Sequence, residues 1–168
     1  MKQRLNRILD ECFKPKRGKR PELRKISPDI SVAKRHLDKA RDNLNAMMLM
    51  YSNDFFDWTV ICGYYAMYHA VLASLCGVGL RAFSHQCAIS AFQKFFIVRG
   101  TTKKEYLDCL RKAKELEKKY SDSLIKIREN RVIVQYGVQI YSNKDVDWVL
   151  DAAKDFVLRI EELLAIKN

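Results

Sequence analysis

Residues 58–80, WTVICGYYAMYHAVLASLCGVGL, contain no charged side chain. The stretch is long enough to span a bilayer. Three tyrosines, His69, three glycines and Ser74 make it too polar for that role. The remaining solution is a helix buried on most sides at the centre of a domain. The rest of the chain must then supply the elements that cover it.

Those covers are legible as helical stripes. Ser27, Pro28 and Asp29 read as a helix start, with Ser27 as N-cap and Pro28 in the first helical position. From there Ala33, Leu37, Ala40, Leu44, Met47 and Tyr51 step by four and three, which draws one apolar line along a helix. Asn53 and Asp54 open the uncharged helix, which runs to about Cys76, and Gly77 and Gly79 close it. Ser84 caps a third helix that ends at Gly100. The sequence TKKE (102–105) has the spacing of a capping box and starts a fourth. Asn143 starts the last, with Val146, Leu150, Ala153, Val157, Ile160 and Leu164 as its stripe. Six glycines and three prolines in 168 residues disfavour a turn-rich β architecture. The expected fold is all-α, an antiparallel up-and-down bundle of four to five helices over residues 28–168. Residues 1–27 form a basic extension, a short helix over 2–13 followed by a linker broken by Pro15, Gly18 and Pro21.

Charge is unevenly spread. The formal net charge is +11, and residues 1–25 alone hold ten Lys/Arg against three Asp/Glu. Such an arm suits phosphate backbones, and it equally suits a solvated tail. The five cysteines, at 12, 62, 76, 87 and 109, are odd in number and form no C-x-x-C pair. They read as reduced, small apolar fillers of an intracellular chain. The N-terminus shows no secretory signal, so the expected location is cytoplasmic, with no membrane partner. No Cys/His cluster and no E-x-x-H pair point to a metal, and no cofactor is expected.

Nucleotide motifs fail on context. GVGLRA (77–82) fits G-x-G-x-x-A, but it follows a helix where a dinucleotide fingerprint follows a strand. There is no Walker loop and no G-x-S-x-G. The three histidines, His36, His69 and His85, read respectively as a stripe boundary, a satisfied core residue and a neighbour of a helix cap. The stretch RENRVIVQYGV (128–138) is ambiguous, since its β-branched and aromatic content also suits a strand. A lone strand would lack a partner among helices, so residues 122–134 are expected to be helical, loosening near Tyr136 and Gly137.

GYYAMYHAVLASLCGVGLRAFSHQCAISAF (63–92) resembles the central helical pair of HEPN domains (higher eukaryotes and prokaryotes nucleotide-binding). The shared pattern is a tyrosine pair, A-M-Y-H-A, an apolar run, a glycine, then H-x-x-x-I-x-A-F. SVAKRHLDKARDNL (31–44) is similar to the family's first helix, RVIVQYGV (131–138) to the end of its penultimate helix, and VDWVLDAAKDFVLRIEELL to its last. The resemblance implies a helical bundle that is usually a symmetric dimer. It also implies nucleotide or RNA chemistry, in many members metal-independent RNA cleavage by an arginine and a histidine four to six residues on. A minimal nucleotidyltransferase is a frequent partner, in toxin–antitoxin-like pairs.

This chain departs from the cleavage signature. Arg131 matches the arginine, but Gln135, Tyr136 and Gly137 stand where the histidine belongs, and no histidine follows His85. Arginine can steady phosphate charge but cannot act as a base near neutral pH. A tyrosine, with a pKa of about 10, is a poor substitute. The resemblance therefore implies an accessory protein that binds nucleotide or RNA. Arg131 and Arg128 would contact phosphate, while Asn130 and Tyr136 shape the pocket. Two alternatives stay open: a ribonuclease using Arg131 with a substitute base, and a bundle that only binds another protein.

Overall fold

The structure is a computed structural model and describes residues 2–15, 18, 20–98, 100, 111 and 143–165. Five helices are described, α1 (Lys2–Phe13), α2 (Ile30–Ser52), α3 (Phe56–Gly77), α4 (His85–Phe92) and α5 (Asn143–Ala165), and one π turn, Gln93–Ile97, continues α4. Two three-residue strands, β1 (Leu23–Lys25) and β2 (Leu80–Ala82), form a small antiparallel ribbon. The all-α bundle expected from the stripes is the fold observed.

The uncharged helix α3 is the centre. It is long and apolar enough to cross a membrane, yet 72% of its most apolar window is buried inside the molecule. Tyr64, Ala66, Met67, Ala70, Val71, Ala73 and Leu75 on it are fully buried. Helix α2 lies antiparallel to it and buries Ala33, Leu37, Ala40 and Met47. Helix α5 covers another side with Val146, Val149, Ala153, Phe156, Val157 and Ile160. Gly63 lets α3 and α5 approach closely, for a Cβ there would lie 2.4 Å from the Val149 side chain. Arg41 on α2 reaches Glu161 on α5 at 2.7 Å and closes the third edge of this triangle.

The helix boundaries differ from expectation at two caps. Asp29, not Ser27, caps α2, its carboxylate accepting from the Val32 N–H at 2.9 Å. The residues before it are used otherwise: the Ile26 N–H donates to the Gly79 carbonyl at 2.9 Å, and the Asp29 N–H donates to the Cys76 carbonyl at 3.1 Å. These bonds fasten the start of α2 to the end of α3. At the opposite corner Asn53 closes α2 instead of opening α3, and Asp54 takes a left-handed turn at φ 60°. Ser84 caps α4 as expected, accepting from the Cys87 N–H at 3.3 Å.

The basic extension is tied to the bundle. Helix α1 buries Leu5, Leu9 and Cys12. Strand β1, inside the segment expected to be a linker, buries Leu23 and pairs with β2. Cys12 and Cys87 are joined as a disulfide across 75 residues of sequence. This corrects the expectation that all cysteines are reduced fillers. Sequence spacing cannot show that α1 folds back beside the first turn of α4. Cys62 and Cys76 are free, and burial pushes both thiols up. Cys109, TKKE (102–105) and the helix expected over 122–134 lie outside the described residues.

Candidate functional site

Arg128, Asn130, Arg131 and Tyr136, the site residues expected from the sequence, lie outside the described residues. The described part of the molecule assembles a different constellation at the end where α2 begins and α3 finishes.

Its inner part is a strip of histidines and tyrosines. His36 on α2 and His69 on α3 meet with their Nδ1 atoms 3.1 Å apart, so one ring donates and the other accepts. Burial is the main cause that lowers both pKa values, and His69 falls to about 4. Nearby positive charge adds to this, from Arg81 and Arg35 at His36 and from His36 and Lys39 at His69. Both rings are therefore neutral at pH 7. Tyr68, the residue before His69 on α3, stacks its ring on His85 with centroids 4.1 Å apart and planes 2° from parallel. His85 Nδ1 also meets the hydroxyl of buried Tyr64. Burial, with Tyr65 beside it, pushes the Tyr68 phenol up to about 12. The tyrosine pair and both histidines of the 63–92 pattern thus converge on one strip, because α4 returns alongside α3.

The outer part is the ribbon. Its register sets Arg24 directly opposite Arg81. Like charges facing across a strand pair are destabilising on their own. The two guanidinium groups find an aromatic ring instead of a carboxylate, at 4.3 Å (Arg24) and 5.3 Å (Arg81) from the centroid of Phe83. Such contacts favour the cation electrostatically without neutralising it. Phe83 remains 48% exposed. Glu22, next to the ribbon, accepts from the Ser84 hydroxyl at 3.3 Å. Among the described residues no ion pair reaches Arg24, Lys25 or Arg81.

Sequence reasoning missed Arg24, Arg81 and Phe83. Two Leu-Arg dipeptides, at 23–24 and 80–81, were the available signal, each with the leucine buried. Three residues are too few to display a period of two. Among the described residues no group of three or more His, Cys, Asp or Glu could hold a metal ion.

The model of the HEPN domain matches residues 33–163. The chain belongs to the HEPN domain family. That match starts in α2 and runs into the last turns of α5, so the histidine–tyrosine strip is part of the HEPN bundle proper. Arg24 and the rest of β1 precede the matched HEPN region, while Arg81 and Phe83 lie inside it. Searches of curated proteins and of solved structures each found no match.

Proposed function

We propose that this HEPN protein binds nucleotide or RNA, without the arginine–histidine cleavage chemistry that the family resemblance implies for many members. Family membership supports a nucleotide- or RNA-related role. The observation that carries the reading is electrostatic. Arg24 and Arg81 face each other across the ribbon with their guanidinium groups over Phe83, and Arg35 and Lys39 lie near the histidine pair, so positive charge gathers at this end of the bundle. A phosphate is the natural complement. Arg131 and Arg128 would add contacts from the segment that resembles the family's phosphate-facing helix end. The test is RNA and nucleotide binding against salt in EDTA, with the RNA checked for cleavage. Log K should fall with log salt by roughly 0.7 per phosphate contact on a single strand. The RNA should stay intact, and Arg131→Ala should weaken binding. Absence of binding to RNA and nucleotide alike would sink the reading.

A second reading is cleavage by a substitute base. The observation behind it is geometric: the bundle brings His36 and His69 together with Nδ1 atoms 3.1 Å apart, and an imidazole is the side chain best suited to serve as a substitute base. RNA degradation in EDTA that disappears in His69→Gln would establish it. A protein partner, such as a minimal nucleotidyltransferase, or a second copy of the chain is favoured by the exposed Leu49, Phe55 and Trp58 at the α2–α3 corner.

A further inference from the structure

We propose that the β1–β2 ribbon is a stacking platform for single-stranded nucleic acid, with Arg24, Arg81 and Phe83 as its contact residues. The inference rests on the nucleotide- or RNA-binding reading and gives it a place and a form of ligand. Three observations converge. Two arginines face each other across the ribbon, an arrangement that costs stability unless something else compensates. Both guanidinium groups pack on one ring that is half exposed, and Arg81 is exposed while Arg24 is half-buried, so positive charge is available to solvent beside the ring. The segment leading into β1 is the most basic in the sequence.

The chemistry selects the ligand. Unstacked bases lie on aromatic rings and on guanidinium planes, while arginine N–H groups bind the phosphates between them. A duplex hides its bases in its own stack and would offer this surface only its backbone. Every base has a π face, so stacking on this platform should be tolerant of sequence. The 2′-hydroxyl has no dedicated partner on it, so DNA and RNA single strands should bind alike.

The experiment uses the full chain with fluorescein-labelled U12, dT12 and a 12-base-pair RNA duplex, followed by fluorescence anisotropy in EDTA across a salt series. The wild type should bind U12 and dT12 within a few-fold of each other and the duplex more weakly. Phe83→Leu keeps an apolar side chain but no π face, and should weaken U12 about tenfold with the salt slope unchanged. The double variant Arg24→Gln with Arg81→Gln should lower the salt slope by roughly 1.4, two phosphate contacts. Circular dichroism confirms that each variant stays helical. If U12 binds the wild type and every variant equally, the ribbon proposal is overturned and the broader reading stands. If the duplex binds as well as U12, the stacking role is overturned. If no nucleic acid or nucleotide binds the wild type, both fail.

Discussion

His69 shows how a single side chain reports on its surroundings. Its ring is half-buried, bonded to His36 and near Lys39, and burial foremost brings its pKa down to about 4. An unfolded histidine titrates near 6.5, so the unfolded chain takes up the proton first as pH drops. The folded-state pKa is the lower one. The stability tied to the neutral ring is therefore complete above about pH 6.5 and is lost as pH falls towards 4. Urea midpoints measured from pH 7 to pH 4 should fall more steeply in the wild type than in His69→Gln. Parallel profiles would show that the pair carries no proton linkage. The sequence placed His69 in the apolar helix and His36 beside a stripe, yet it gave no hint that they touch. Thirty-three residues separate them, and only the antiparallel return of α3 on α2 brings their rings together.

At the scale of elements, periodicity was the readable signal and length decided how far it reached. Helices α2 and α5, each of 23 residues, display their stripes over six turns, and both were found. The strands β1 and β2, three residues each, display nothing until they pair. The caps were half legible. Ser84 was, because its hydroxyl can accept from the Cys87 N–H while donating to Glu22, whereas Ser27 sits in a segment whose backbone is committed to the end of α3. The docking of α1 was hidden for another reason, since it includes a contact between Cys12 and Cys87 that no local pattern encodes. A cross-link over 75 residues restricts the unfolded chain strongly. The double variant Cys12→Ser with Cys87→Ser should lose roughly 2–4 kcal/mol under non-reducing conditions. Dithiothreitol should lower the wild-type melting temperature to that of the variant and leave the variant unchanged. A wild type insensitive to reductant would show that the bond contributes nothing.

The described molecule has two unlike ends. The start of α2, the ribbon and the end of α3 gather Arg24, Lys25, Arg35, Lys39 and Arg81. The far corner carries Asp54, Phe55, Asp57 and Trp58, and no lysine or arginine occurs anywhere between Arg41 and Arg81. Trp58, at 58% exposure, is a built-in probe of that corner. Saturating the protein with U12 should leave the acrylamide quenching of Trp58 unchanged, with Trp148→Phe used to isolate its signal. Protection of Trp58 would place the nucleic acid at the wrong end. This polarity was written in the sequence as a gap in the basic residues. Reading it as a direction in space needed the hairpin of α2 and α3, which turns a gap along the chain into distance across the molecule.

The left-handed corner at Asp54 sets the consequence. If the proposed binding holds, the cations gathered at the ribbon end of the described residues would draw a polyanion to that end before any contact forms. The chain would approach a nucleic acid already turned, and the tryptophan end would face outward. Whatever docks at that corner could then do so without competing for the strand.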